Sequence, residues 1–167
     1  MKPIEARRRE VLVAAARMLD HRGPGEVTID ELATNAGYSR STIYNYFPGW
    51  RHIVTAIVAT ALDGVAQRLA GVSAPTTASL VEQLGDAWLG GDERALVIAG
   101  LRLRDLPWLA TATSTASNRC EAAIAHALRE AGETATAPGV VLDLLKHQLA
   151  RPPNNAPPDR SMPNAHR

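Results

Sequence analysis

Clusters of glycine and proline divide the chain into segments whose apolar residues recur at steps of three and four. The clusters lie at residues 23–25, 73–75, 90–92 and 132–139. A spacing of three and four places apolar side chains on one face of an α-helix. The long middle segments are rich in alanine and only 4% of the residues are aromatic, which favours helices over strands. The sequence therefore predicts an all-α protein.

The same period predicts the positions of the individual helices. An amphipathic helix over about residues 4–22 comes first, with its arginines mainly away from the apolar face. A mostly buried connecting helix is expected around Ile53 to Leu62. The other predicted helices cover residues 29–35, 40–47, 76–89, 92–105, 107–131, with a kink or break at Pro107, and 138–150.

Composition excludes several classes of protein. The 18 Lys and Arg against 17 Asp and Glu leave a net charge of +1, which excludes a polybasic nucleic-acid coat. The single cysteine, Cys120, excludes an internal disulfide framework and a thiolate zinc cluster. No run reaches the about 20 apolar residues of a membrane span, and no signal-peptide core follows the basic N-terminus. We expect a cytoplasmic protein that does not bind a membrane.

Residues 28–47 carry two helix-start signals on either side of a glycine. Thr28 and Glu31 have the spacing of a capping box, in which both side chains take free backbone N–H groups at a helix start. Gly37 suits a tight turn, and Ser39 is a second N-cap. The second helix is short and polar. A helix-turn-helix of this kind places its second helix in the major groove of double-stranded DNA, where side chains reach base edges.

Further positions around this motif share one pattern of spacing. They are Arg9-Glu10-Val11-Leu12, Ala14-Ala15, Gly23, Thr28-Ile29, Leu32-Ala33, Ala36-Gly37-Tyr38-Ser39 and Thr42-Ile43-Tyr44-Asn45-Tyr46-Phe47. With them the chain resembles, over about residues 8–62, the tetracycline-repressor (TetR) family of bacterial transcriptional regulators. The resemblance implies an N-terminal three-helix helix-turn-helix DNA-binding domain and a C-terminal helical regulatory and dimerisation bundle.

The resemblance also implies which side chains contact DNA. Tyr44 matches a tyrosine whose hydroxyl binds the DNA backbone, and Thr28 matches a hydroxyl that caps the helix and touches a phosphate. Arg40 is the candidate for base recognition, because a guanidinium can bond O6 and N7 of guanine together, which gives about 1–3 kcal/mol of discrimination. The expected DNA-binding residues are Lys2, Arg7, Arg8, Thr28, Ser39, Arg40, Ser41, Thr42, Tyr44, Asn45, Tyr46, Trp50 and Arg51.

One departure from the family pattern concerns the start of the connecting helix. The family usually has Ser-Lys-Glu after the phenylalanine, whereas this chain has Pro48-Gly49-Trp50-Arg51. Trp50 thus takes the place of a phosphate-binding lysine, and Arg51 brings a charge one position later, in a different direction. Other interpretations stay open at this stage: Tyr44, Tyr46 and Phe47 as core aromatics, and Arg40 as an ordinary solvated charge.

The regulatory half is expected to bind a small-molecule effector and to form a homodimer, as family members do. Four residues are assigned to ligand binding: Leu84, Trp88, Leu101 and Trp108. Flat indole faces suit a pocket wall, but the alternative that both tryptophans are core residues stays open and is the commoner case. The residues that could pack two subunits together are Val141, Leu144, Leu145, Gln148 and Leu149 on the last helix, and Ala122, Ala123 and Ala127 on the helix before it. The final helix that family members commonly have is missing from the predicted set.

Four regions follow from these observations. Residues 1–48 are predicted as the DNA-binding domain, 49–72 as a connecting helix and 73–150 as the ligand-binding and dimerisation domain. Residues 151–167 contain five prolines and no apolar run, and are predicted to be disordered. The implied mechanism is repression at a palindromic operator, relieved by the effector.

Other functions have less support in the sequence. His126 and Glu130 could form a metal-site fragment, but a third ligand at suitable spacing is lacking. Cys120 has no evident base nearby, and neither a phosphate loop nor a serine elbow occurs. We expect no enzyme, no metal site and no cofactor. The alternative is a protein-interaction module that keeps the helix-turn-helix shape but has lost DNA binding, which Trp50 and the low net charge favour.

Overall fold

The computed structural model describes residues 2–86 and 91–150. Within these residues the chain forms eight α-helices and one 3-10 turn and contains no β-strand, so the all-α prediction is confirmed. The helices are α1 (Ile4–His21), α2 (Ile29–Ala36), α3 (Arg40–Tyr46), α4 (Trp50–Leu69), α5 (Thr77–Asp86), α6 (Gly91–Leu103), α7 (Ser114–Glu130) and α8 (Pro138–Ala150). Of the described helices, none is both long and apolar enough to cross a membrane.

Most helix boundaries agree with the predictions to within one or two residues. The agreement is close where a cap stops the helix from extending, as at Thr28 before α2 and Ser39 before α3. Two predictions extend beyond the described residues: the end of the helix predicted at 76–89, with Trp88, and the disordered tail at 151–167.

The helix predicted over residues 107–131 is wrong as a single element. Only a 3-10 turn, Pro107–Leu109, forms at its start, and α7 begins at Ser114. Leu106, which precedes the proline, has an extended backbone with ψ of 123°, as the proline ring requires of its neighbour. A second break follows at residues 110–113, where the Thr113 hydroxyl donates to the Leu109 carbonyl at 3.0 Å. The chain therefore changes direction between α6 and α7.

One continuous hydrophobic core contains buried residues from all eight helices. α4 lies at its centre and packs against α6 and α7, while α6 also packs against α1. Aliphatic side chains fill most of this core, and Phe47 is among the largest side chains that are fully buried. Gly100 allows the close approach of α6 to α4, because a Cβ at this position would lie only 2.2 Å from the Cβ of Ala61.

Two ion pairs join α1 to α6 at both ends of their contact. Arg9 lies 2.9 Å from Glu93, at the start of α6, and Asp20 lies 2.5 Å from Arg102, at its end. The two helices therefore run parallel. α1 is shared between the helix-turn-helix segment and the helices that follow α4.

Candidate nucleic-acid interface

The start of α2 is fixed by a capping box and by an arginine from the preceding loop. The backbone N–H of Glu31 donates to the Thr28 hydroxyl at 3.2 Å, and the backbone N–H of Thr28 donates to the Glu31 carboxylate at 2.9 Å. Arg22 donates to the same carboxylate at 3.0 to 3.1 Å. The Arg22 pairing first, and the Thr28 bonds second, lower the pKa of Glu31 to about 2. The carboxylate is ionised at neutral pH and anchors the N-terminus of α2.

A left-handed glycine sets the angle between α2 and α3. Gly37 has a φ of 72°, which residues with a side chain rarely adopt. This conformation brings the backbone N–H of Tyr38 to the carbonyl of Ala33 at 3.0 Å, which closes the end of α2. The Tyr38 hydroxyl donates to Glu10 of α1 at 2.5 Å. The turn is therefore hydrogen-bonded to both α1 and α2.

Ser39 caps α3 and gathers the hydroxyls of its first turn. Its Oγ accepts the backbone N–H of Thr42 at 3.2 Å. The same oxygen lies 2.9 Å from the Ser41 hydroxyl and 2.8 Å from the Thr42 hydroxyl. The N-terminus of α3 thus presents backbone N–H groups and hydroxyls together, which suits contact with a phosphate.

The exposed surface of α3 is polar and its inner surface is apolar. Ile43 and Phe47 are buried in the core, which fixes the helix on the domain. The residues exposed on the outer side, called here the polar face of α3, are Ser39, Arg40, Ser41, Tyr44 and Asn45. Tyr44 keeps 41% of its surface exposed although it is a large aromatic residue. The helix-turn-helix therefore offers side chains for hydrogen bonds on one short helix.

Arg40 is held by two neighbours on this face. Its Nη1 lies 3.3 Å from the carboxylate of Asp30 on α2, and its guanidinium lies 5.6 Å from the ring centroid of Tyr44. Tyr44 first, and Asp30 second, raise the pKa of Arg40 above its ordinary value. Asp30 is not among the site residues predicted from the sequence. Its ten-residue separation from Arg40 gives no local signal, and only the Gly37 turn brings the two together.

The three aromatic residues whose role was open differ in burial, and Tyr44 is the exposed one. Phe47 is a core residue with 1% of its surface exposed, and the guanidinium of Arg8 lies 4.8 Å from its ring centroid. Tyr46 is half-buried and packs against the core. Arg8 therefore covers the edge of the domain core while it remains exposed.

Some charged side chains near the N-terminus already have partners within the protein. The Nζ of Lys2 donates to Glu10 at 2.6 Å, and Arg7 is half-buried. Lys2 first, and then Tyr38, lower the pKa of Glu10 below its usual range. Glu10 thus connects the arm, α1 and the turn. Contacts of Lys2, Arg7 and Arg8 with DNA stay a prediction.

Trp50 and Arg51 face the rest of the protein at the start of α4. Trp50 is half-buried, and its Nε1 is enclosed without a hydrogen-bond partner among the described residues. This placement keeps the indole N–H from contacting a phosphate. The guanidinium of Arg51 is 5.3 Å from the ring centroid of Trp108, in the 3-10 turn between α6 and α7. No local sequence pattern predicts this contact, because the two residues are far apart in the chain.

Comparison with known proteins agrees with this geometry. The model of the family "Bacterial regulatory proteins, tetR family" matches residues 11–57. Residues 11–57 form a tetR-family domain. The resemblance recognised in the sequence is confirmed, and the matched region contains α2 and α3 together with most of α1 and the start of α4.

Solved structures extend the likeness beyond the tetR-family domain. A tetR-family transcriptional regulator from Streptomyces coelicolor is similar with 25% identity and a TM-score of 0.58, over 89% of this chain and 69% of that one. A putative tetR-family regulator from Mesorhizobium loti MAFF303099 shares the fold at 15% identity and a TM-score of 0.50, over 89% and 96% of the two chains. No curated protein matches the sequence significantly. The chain has the fold of a TetR-family transcriptional regulator.

The residues assigned to ligand binding differ in their exposure. Leu84 and Leu101 are fully buried core residues, whereas Trp108 is 36% exposed. Trp88 lies outside the described residues. A cleft of about 420 Å³ lies between α1, α4 and α6, and its walls are formed by other residues. They are Arg9, Thr60, Asp63, Gly64, Gln67, Arg68, Glu93, Leu96 and Val97.

The apolar stripe predicted on the last helix is divided between the core and the surface. Val141, Leu145 and Leu149 are buried within the chain's own core. Leu144 is 43% exposed and Val140 is 47% exposed, four residues apart and so on one side of α8. On α7, Ala123 and Ala127 pack against the core while Ala122 is exposed. The surface available to a second subunit on α8 therefore centres on Val140 and Leu144.

Cys120 and the histidines show no arrangement of a reactive site in the described part of the chain. Burial raises the pKa of the Cys120 thiol to about 12, so it is not a thiolate at neutral pH. Among residues 2–86 and 91–150, no three His, Cys, Asp or Glu side chains lie together as a metal site would require.

Proposed function

We propose that this chain is a homodimeric transcriptional repressor that binds a palindromic DNA operator and releases it when a small molecule binds. The observation that carries the proposal is the polar face of α3, exposed as a unit by a helix whose other side is buried. The membership of residues 11–57 in the tetR family supports it. The protein would act by binding and not by catalysis, in the cytoplasm.

Each part of the polar face has a proposed role in DNA binding. Arg40 selects guanine in the major groove, and Tyr44 bonds a phosphate through its exposed hydroxyl. The other proposed contacts come from hydroxyls, amides and cations around them: Lys2, Arg7, Arg8, Thr28, Ser39, Ser41, Thr42, Asn45 and Tyr46. Arg51 joins this set if it leaves Trp108, whereas Trp50 is half-buried and would contribute without its enclosed N–H group.

Dimerisation gives the operator its expected symmetry. Two copies joined through α7 and α8, around Val140 and Leu144, would present two α3 helices to one side of the DNA. A palindrome with half-sites about 34 Å apart, one turn of the duplex, fits such a dimer. We assign residues 1–48 to DNA binding, 49–72 to the connection and 73–150 to dimerisation and effector binding, with Leu84, Leu101 and Trp108 around the effector site.

Release by an effector requires that it prefer one conformation of the dimer. To move the protein from almost all bound to almost all released takes about 5.5 kcal/mol of differential affinity. α6 is the element through which this preference can reach DNA, because it packs against both α4 and α1.

The proposal is tested by selecting bound sequences from a random duplex pool with the purified protein at two salt concentrations. We expect enrichment of a palindrome, with an affinity whose logarithm falls linearly with the logarithm of salt concentration. Arg40→Ala should relax the preference at one base pair of each half-site, and Tyr44→Phe should weaken binding to all sequences alike. Arg17→Ala, which removes one exposed arginine from α1 outside the proposed contacts, is the control for net charge.

A failure to enrich any sequence at either salt concentration would contradict the proposal. The protein-interaction module would then be the better account, since Trp50 is turned inward and Arg51 is stacked on Trp108. Binding that selects a palindrome but responds to no small molecule would leave DNA recognition standing and remove the effector.

A further inference from the structure

We propose that Asp30 is a positioning residue for sequence recognition, whose carboxylate holds the Arg40 guanidinium in the orientation with which Arg40 selects guanine. The inference rests on the proposed function of α3 as the DNA-recognition helix. It assigns a role to an acidic residue on a surface that is otherwise expected to attract phosphates.

The contact spans the helix-turn-helix from one helix start to the other. Asp30 is the second residue of α2 and Arg40 is the first residue of α3. Their side chains approach to 3.3 Å from one carboxylate oxygen and 3.4 Å from the other. Both remain mainly exposed, at 60% for Arg40 and 68% for Asp30. The pair therefore lies on the open side of the domain, and its energy serves orientation more than stability.

Tyr44 completes the restraint from one turn further along α3. The Arg40 guanidinium lies over its ring at 5.6 Å from the centroid, a distance that allows a cation–π contact. Together, the carboxylate and the ring face restrict the rotamers of the Arg40 side chain. Without them, this rotamer freedom would be lost only on binding to DNA. Arg40 is thus partly ordered before DNA arrives.

The pairing leaves Arg40 able to bond a base. A guanidinium carries five N–H groups on three nitrogens, and recognition of guanine uses two of them. The contact to Asp30 is made through Nη1. Donors on the other nitrogens can still bond O6 and N7 while Asp30 keeps its hold on Arg40.

Asp30 is expected to change specific and non-specific binding in opposite directions. Non-specific affinity comes from attraction to phosphates, so a carboxylate near DNA weakens it. Specific recognition depends on the geometry of Arg40 at the base edge, so the same carboxylate strengthens discrimination. A residue that only stabilised α2 would move both affinities together.

The test compares Asp30→Asn with the wild-type protein, using the selected palindrome and a variant in which the Arg40-dependent guanine is replaced. Asp30→Asn should lower the discrimination between these duplexes by about two- to fivefold, the range measured for exposed ion pairs. Its affinity for a scrambled duplex should rise, because one negative charge is gone. Asp30→Glu, which keeps the charge, should restore part of the discrimination.

Two further variants make the result specific to Arg40. Glu5→Gln removes another exposed acid from the first turn of a helix, and should change affinity for scrambled DNA without changing discrimination. In an Arg40→Ala background, Asp30→Asn should have no further effect on discrimination. An equally large effect there would mean that Asp30 contacts the base pair by itself, and would overturn the positioning role.

The outcomes separate this inference from the proposed function. If the wild-type protein selects no sequence, the function itself fails. If it selects a palindrome and Asp30→Asn discriminates as well as the wild type, only the role of Asp30 fails.

Discussion

Glu31 is the residue on which the start of the second helix depends most. Its carboxylate accepts bonds from the backbone and hydroxyl of Thr28 and from Arg22. These bonds stabilise the ionised form, so the folded-state pKa of about 2 lies below the ordinary value of 4.5. Because the pKa is lower in the folded state, the stabilisation of the folded protein is complete above about pH 4.5 and is lost as the pH falls toward 2.

We therefore expect Glu31→Gln to be less stable than the wild type at neutral pH, and the difference to shrink as the pH falls below about 4.5. Urea unfolding of both proteins between pH 3 and pH 7 measures this difference. Thr28→Ser, which keeps the capping hydroxyl, is the control and should retain the wild-type pH dependence. A difference that stays constant down to pH 3 would contradict the assigned bonds.

At this scale the sequence predicts contacts between near neighbours and misses the rest. The capping box of Thr28 and Glu31 could be predicted because its partners are three residues apart at a helix start. The Arg22 contact with Glu31 and the Asp30 contact with Arg40 could not, since each depends on the path of a loop. The stacking of Arg51 on Trp108 joins the start of α4 to the 3-10 turn between α6 and α7, and no local pattern records it.

Two glycines inside helices differ in what surrounds them. Gly64 lies within α4, and a Cβ there would meet no atom within 4 Å. Gly100 lies within α6, where a Cβ would be 2.2 Å from the Ala61 Cβ and 3.1 Å from the Ile57 carbonyl oxygen. No packing contact requires a glycine at position 64, whereas the close approach of α6 to α4 requires one at position 100.

We expect Gly64→Ala to stabilise the protein by about 0.5–1 kcal/mol, because alanine restricts the unfolded chain and favours the helix. Gly100→Ala should destabilise it by about 1–3 kcal/mol, as overpacking does. Denaturant unfolding of the two variants measures both effects, each serving as the control of the other. Equal effects of the two substitutions would contradict the packing of α6 on α4.

Helix positions could be predicted where the hydrophobic periodicity and the capping residues agree. They were missed where neither marks the end of a helix. Pro107 was recognised as a point of kinking, but the further break at residues 110–113 was not. That segment is Ala-Thr-Ala-Thr, with no glycine or proline to mark it. Threonine is only a mediocre helix former, and here the Thr113 hydroxyl donates to the Leu109 carbonyl just before α7 begins.

The reactivity of the single cysteine, Cys120, measures how often the hydrophobic core opens. Cys120 is fully buried in the core that all eight described helices share, and burial raises its pKa to about 12. Only the thiolate reacts rapidly with alkylating reagents. Its modification therefore requires opening of the core.

We expect the native protein at pH 8 to react with iodoacetamide far more slowly than the urea-unfolded protein does. The rate should fall further in Gly64→Ala and rise in Gly100→Ala, because these changes alter the population of open molecules. Mass spectrometry of timed samples gives the rates. Labelling of the native protein at the unfolded rate would contradict the burial of Cys120.

On the scale of the whole chain, the parallel pairing of α1 with α6 limits how the protein can be divided. The Arg9–Glu93 and Asp20–Arg102 ion pairs join both ends of α1 to α6, and α1 also packs against α2 of the helix-turn-helix. A chimera that grafts residues 1–48 onto the C-terminal half of another protein of this fold would have to supply a matching α6 as well as a matching α4. In engineering this protein, α1 has to be exchanged together with the surface of α6 against which it packs.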